Sequence, residues 1–173
     1  MPLIGTGIGT PFVKKSGPSV NTDFVTEWET ENPGSATKTI TLPLNSGASY
    51  SGTIDWGDGT SDSLAYANRT HVYSTTGTKT ITISADALYY WQFLNSGDRR
   101  KLVDVQNWGE HFRLVTRGFQ GANNMVISAT DAPTINSSLE SALEFCDALT
   151  NEDFTHWDLS GTTALNNCFN DCD

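Results

Sequence analysis

The chain has 173 residues, room for one or two small domains with modest cores. Ten Lys and Arg stand against 20 Asp and Glu, and a formal charge of −10 excludes the clustered basic surface that nucleic-acid binding requires. Charged residues make up only 17 per cent while Thr, Ser, Asn and Gly abound, a balance of β-rich extracellular modules and fibres rather than of helical cytosolic enzymes.

Residues 1–20 carry Gly5, Gly7, Gly9 and Gly17 with Pro2, Pro11 and Pro18, which excludes a long helix and predicts an extended arm. It reads either as a disordered tail or as a docking peptide. Leu3, Ile4, Ile8, Phe12 and Val13 favour docking, because a solvated tail has no need of apolar side chains. The arm has no basic leader followed by a continuous apolar run, so it is not a signal peptide. No stretch reaches the roughly 18 apolar residues of a membrane span.

Residues 21–84 read as strands and turns. Phe24-Val-Thr-Glu-Trp28, Lys38-Thr-Ile-Thr-Leu42, Gly52-Thr-Ile-Asp-Trp56 and Lys79-Thr-Ile-Thr-Ile83 alternate with period two. Asn-Pro-Gly, Asn-Ser-Gly and Asp-Gly turns space them, which predicts a β-sandwich. Asp58-Gly59 sets a tight turn, Gly57 permits unusual backbone angles, and Trp56 can bury its ring. The segment Ile54-Asp-Trp-Gly-Asp-Gly-Thr60, with His71-Val-Tyr73 and the strand to Ile83, resembles the PKD (polycystic kidney disease) domain family over about residues 35–84. The resemblance implies an immunoglobulin-like sandwich used as an extracellular spacer or binding module, with Trp56, Gly57, Asp58, Gly59, His71 and Tyr73 as its structural motif.

Residues 85–118 read as a connector: a strand from Leu102, a turn at Trp108-Gly109 and a short apolar segment into Phe119. From 119 to 173 a pattern repeats. Phe119-Gln-Gly-Ala122, Phe145-Cys-Asp-Ala148 and Phe169-Asn-Asp-Cys172 start at anchors 26 and 24 residues apart, and Asp131 or Trp157 follows twelve positions after the Phe. A period of about 20 to 30 residues is the mark of a solenoid, in which each coil buries its apolar face against its neighbours. The newest apolar row is uncovered at Cys172-Asp173, so a further segment or another chain is expected to cover it. With Ala129-Thr-Asp-Ala-Pro133 and His156-Trp-Asp-Leu-Ser160, the chain from about residue 101 resembles the BspA-like leucine-rich-repeat family of bacterial and mycoplasma surface proteins. It departs from that pattern at Ser141 and Glu144, where the family tends to have Met. The resemblance implies surface display and adhesion.

Candidate chemistry is sparse. His71, His111 and His156 are scattered without metalloprotease spacing, and His71 reads as a hydrogen-bonding residue. Cys146, Cys168 and Cys172 are odd in number and read as small buried positions rather than disulfide, zinc or redox groups. Asp55, Asp58 and Asp62 ring one turn, where either the three hold calcium or Asp58 makes turn hydrogen bonds and the other two are solvated. Adjacent Glu152 and Asp153 would point to opposite faces of a strand, unlike the paired carboxylates of a glycosidase.

The fold expected is mainly β: a PKD-like β-sandwich followed by the start of a β-rich leucine-rich-repeat-like solenoid. The function expected is non-enzymatic, with no metal or cofactor. The Gly-rich arm is similar to N-termini that anchor phage appendages, and lysis would release such a protein without an export signal. This makes it a virion head or tail fibre, docked on capsid or tail proteins by the arm and presenting the repeats to a host-surface glycan or protein. It would act as a homo-oligomer at the virion surface, without nucleic acid or membrane insertion. A bacterial cell-surface adhesin and an accessory region of a secreted carbohydrate-active enzyme are the alternatives.

Overall fold

A computed structural model describes residues 21–150 and 152–172, so the expected anchors Leu3, Ile4, Ile8, Phe12 and Val13 lie outside the described residues. The protein is mainly β. In chain order the strands are β1 (Phe24–Glu29), β2 (Thr39–Thr41), β3 (Gly52–Asp55), β4 (Ser61–Ser63), β5 (Thr70–Val72), β6 (Thr78–Ala85), β7 (Leu102–Asn107), β8 (Arg113–Leu114), β9 (Val126–Ile127) and β10 (Thr134–Ile135). The helical content among the described residues is one 3-10 turn at Tyr66–Asn68, and no helix is long and apolar enough to cross a membrane.

Strand β1 is the centre of the main sheet. Its alternation buries Phe24, Thr26 and Trp28 on one face, and Thr26 is tolerated there because its hydroxyl accepts from Trp28 Nε1 at 2.8 Å. The sheet order is β4-β3-β6-β1-β7-β9. β1 pairs antiparallel with β6 and with β7, whereas β7 pairs parallel with β9. Two register shifts against β1 insert extra residues into β7, so Leu102 and Val105, three positions apart, both point inward. Thus β7 closes the antiparallel sheet and opens a parallel stack. Two further two-stranded sheets pair β2 with β5 and β10 with β8.

Past residue 85 the chain stacks on itself. Phe93 and Asn95 donate N–H to the carbonyls of Gly118 and Gln120. Phe119 and Gly121 donate to Ala142 and Glu144, and Leu143 and Phe145 donate to Cys168 and Asn170. Each layer is a run of tight turns, such as Val115–Gly118, Leu139–Ala142 and Leu165–Cys168, each closed by an i+3 N–H to i carbonyl bond. The third residue of these turns has positive φ: Arg117, Ser141 and Asn167 at 53–55°.

The ladder corrects the register of the repeat. Phe119 stands opposite Leu143, and Leu143 opposite Phe169, while Phe145 stands opposite Gly121 and Asp171. Phe145 has φ 60°, in the same left-handed column as Gly121 (81°) and Asp171 (53°), and Asn95 (54°) begins that column. The three Phe anchors are therefore not equivalent positions: Phe119 is fully buried, Phe145 half-buried and Phe169 45% exposed. The ladder also reaches back to Leu88 and Phe93, inside the stretch read as a connector. Ser141 and Glu144 are both buried, and Glu144 accepts from Gln120 Nε2 at 2.6 Å, so a polar rung stands where the resemblance has Met.

One buried cluster crosses residue 85. Phe24 stacks on Phe112 at 4.2 Å and meets Trp91 edge-on at 5.0 Å, while Trp108 meets Phe119 and Trp157 edge-on at 5.6 Å. A polar clamp joins the halves. The Lys101 ammonium, fully buried, donates to the carbonyls of Thr30, Ala36 and Thr39 at 2.8–3.0 Å. Asp98, also buried, accepts from the backbone and hydroxyl of Ser35 and from the N–H of Thr41. The irregular segment between β1 and β2 is thereby fixed by a turn that belongs to the second half of the chain.

Candidate functional site

All six residues of the tryptophan-turn motif come together. The β3–β4 turn is closed by Trp56 N–H donating to the Thr60 carbonyl at 3.1 Å. Gly57 has φ 73° and a Cβ there would run into the Thr80 carbonyl of β6, so a side chain is excluded on two counts. Gly59 follows at φ 87°. His71, on β5, stacks on Trp56 at 4.8 Å with 12° between the planes, and Tyr73 meets His71 edge-on at 4.6 Å. The Tyr73 hydroxyl donates to the Trp56 carbonyl at 3.0 Å. Burial raises the Tyr73 phenol well above its usual range, with the charges of Asp58 and Asp55 adding to it, so the phenol remains a donor.

The three turn carboxylates have separate tasks. Asp58 accepts from the Thr60 hydroxyl and N–H and pairs with His71 Nε2 at 2.9 Å. Bonds to Thr60 and then His71 hold its pKa down to about 2. Asp55 accepts from Gly57 N–H at 2.8 Å, and Asp62 from Trp56 Nε1 at 2.9 Å. Among the described residues no group of three His, Cys, Asp or Glu comes together to hold a cation. Turn hydrogen bonding by Asp58 is what the geometry presents, and Asp55 and Asp62, exposed as that expectation has them, each accept a further bond within the turn.

The thiols sit inside the stack. Cys146 Sγ donates to the Phe119 carbonyl at 3.3 Å, and Cys172 Sγ repeats that bond one layer on, to Leu143 at 3.0 Å. Burial raises the Cys146 thiol far above its ordinary range and pushes Cys168 up to about 11. His156 Nε2 lies 3.2 Å from the Asp131 carbonyl, and the Asp131 carboxylate accepts from the N–H groups of Trp108 and Gly109.

Two of the clefts on the outer surface of the stack bear on function. One, of about 330 Å3, lies between the second and third layers, with Ile127, Glu152, Phe154, His156 and Trp157 in its wall. Its polar groups are engaged within the frame: Glu152 accepts from the N–H of Ile127, and neighbouring Asp153 takes the N–H and hydroxyl of Thr155. The other, of about 300 Å3, spans three layers beside Tyr89 and Tyr90, which are 44% and 52% exposed. The sequence reading missed this second cleft. Its signal is the run Tyr89-Tyr90-Trp91, in which burying Trp91 completely leaves the two tyrosines outside.

No protein-family profile, curated protein or solved structure matches the chain.

Proposed function

We propose that the protein is a non-enzymatic structural component of a phage virion, a head or tail fibre or appendage, docked by its N-terminal arm and holding its repeats outward for attachment to the host surface. The observation that carries this reading is strand β7, which is shared between the antiparallel sheet and the stacked layers. A display element needs that continuity, because force applied to the repeats must reach the mount without a flexible joint. The clamp of Lys101 and Asp98 supports the same reading by tying the β1–β2 segment to the stack.

In this reading the first half is a PKD-like sandwich, supported by the assembled Trp56, His71 and Tyr73 cluster and by burial of Ile40 and Leu42 with Ile54 and Ile81 in one core. The second half is a BspA-like solenoid, supported by layers that pair with each other at offsets of 21 to 26 residues. His71 pairs with Asp58, and His156 and Asp131 bond within the stack, so these four groups are committed to the frame. The arm supplies Leu3, Ile4, Ile8, Phe12 and Val13 to a groove or sheet edge on capsid or tail proteins. Several copies on one particle raise avidity for the host.

The test is deletion of residues 2–18 followed by purification of intact particles from an infected-cell lysate. Loss of the protein from particles, with its tryptophan fluorescence unchanged, is the expected result. Retention would move the docking surface to the sandwich. A full-length protein that never accompanies particles would overturn the reading in favour of a bacterial surface adhesin.

A further inference from the structure

The cleft beside Tyr89 and Tyr90 combines two exposed aromatic rings with a guanidinium. The backbone beneath the two tyrosines is fixed from both sides: Trp91 is fully buried and bridged antiparallel to Leu44, Gln92 N–H donates to the Pro43 carbonyl at 3.0 Å, and Tyr50 donates to the Tyr90 carbonyl at 3.2 Å. The rings therefore stand on a rigid floor. Rigid exposed aromatic faces lose little entropy when a flat apolar surface settles on them.

Across the cleft, on the second layer, Arg113 lies with its guanidinium 4.7 Å from the centre of the Tyr89 ring. Its Nε is buried and has no hydrogen-bond partner, and no carboxylate comes within 4 Å of it among the described residues. The Nε itself is closed off from a ligand, so an incoming acceptor meets the terminal guanidinium nitrogens, for which no carboxylate of the protein competes among the described residues. Gln92 uses its Nε2 on the Thr116 carbonyl, and Asn136 uses its Oδ1 on the N–H of Ser137. Gln92 Oε1 and Asn136 Nδ2 remain at the cleft as an acceptor and a donor. None of the lining residues is acidic, in a chain whose formal charge is −10.

We infer that this cleft binds an acidic saccharide, a hexuronate-type unit whose ring lies on the tyrosines and whose carboxylate meets Arg113. A pyranose offers an apolar C–H face for an aromatic ring and vicinal hydroxyls for amides. A planar carboxylate matches the fork of a guanidinium. A neutral sugar leaves Arg113 unpaired, and an aliphatic anion leaves the tyrosine pair unused. The inference deepens the reading of the repeats as an attachment surface and rests on it for its biological setting, but not for its chemistry.

The test is calorimetric titration of the full chain with trigalacturonate and with maltotriose, an acidic and a neutral trisaccharide of equal length. The expected result is saturable binding of trigalacturonate at least tenfold tighter than of maltotriose. Replacing Tyr89 and Tyr90 together by Ala is expected to remove binding of both. Arg113→Gln is expected to bring trigalacturonate down to the level of maltotriose, with the thermal transition unchanged. Equal binding of the two sugars, no binding, or binding indifferent to these substitutions would overturn the inference. Particle association after deletion of residues 2–18 reads the attachment role separately, so either idea can fail while the other stands.

Discussion

The two halves of the molecule use the same β chemistry in different ways. Residues 24–85 are held by long-range antiparallel pairing, in which Phe24 finds Ile83 and Trp28 finds Lys79, so no part of the sheet keeps its register without the whole. From residue 86 onward the layers bond mainly to their neighbours, through turns that repeat every 24 to 26 residues, and the first layer also bonds back to the sheet. A nearest-neighbour stack spreads damage locally, whereas a sheet closed by distant partners loses order all at once. Strand β7 and the Lys101 clamp couple the two regimes, so the first half should act as the template on which the stack is laid.

The sharpest way to break that coupling is Lys101→Met. It removes three charge-assisted hydrogen bonds and leaves three carbonyls of the β1–β2 segment without a donor, a loss on the order of 5 kcal/mol at ~1.5–3 kcal/mol each with partial relief by relaxation. Urea unfolding followed by tryptophan fluorescence and by far-ultraviolet dichroism should show one coincident transition at a lower midpoint. Two separated transitions would mean that the halves fold independently.

Within the stack, Phe119→Ala and Phe169→Ala sharpen the comparison between a covered and an uncovered layer. Phe119 is fully buried, and its truncation is expected to cost about 3–5 kcal/mol. Phe169, opposite the same column but 45% exposed, should cost under about 1 kcal/mol. Equal losses would contradict the register. Phe145→Gly is expected to fall within about 1 kcal/mol of wild type, because relief of its φ of 60° offsets the lost ring contacts. Gly121→Ala, in the same column, meets Asn95 and Arg99 at φ 81° and should destabilise clearly. If Phe145→Gly proved the more damaging, the shared column would be wrong.

The smallest effect expected belongs to the tryptophan turn. Asp58 has its pKa lowered from 3.8 to about 2 in the folded protein, so it binds fewer protons folded than unfolded between those values. Its contribution is fully present above about pH 4 and is lost as the pH falls towards 2. Melting temperatures of the wild type should fall over that interval, and Asp58→Asn should fall less steeply. Parallel curves would remove Asp58 from the account.

Much of the first half was legible because alternation survives in it: Phe24, Thr26 and Trp28 point inward as period two requires, while the contact of Trp56, His71 and Tyr73 has no periodic signal. The bulges in β7 were not legible, since they bring Leu102 and Val105 to the same face at a spacing of three. The repeat was visible but its register was misleading. Aromatic residues are conspicuous, so Phe119 and Phe145 invite alignment. The true column is defined by a backbone angle, which Gly121, Phe145 and Asp171 share while sharing no side-chain character. Lys101 was hidden beside Arg99 and Arg100 in what reads as an ordinary solvated basic run, and only the fold reveals which of the three turns inward.

The ladder on the turn side of the stack also has a direction. From Phe93 through Phe119 to Leu143, each layer gives N–H groups to the layer after it and takes none back along that column. The column works like a zip with a head and a tail. Along this column one side of a layer is a row of donors and the other a row of acceptors, whereas Arg113, Thr134 and Asn136 return N–H groups to the preceding layer elsewhere in the stack. Two copies brought together by the same face along this column would set donor against donor, and a buried amide left without an acceptor costs about 1–3 kcal/mol. Within this column, backbone polarity distinguishes the two ends of the stack and disfavours pairing of the column with itself, without the help of a single charged side chain.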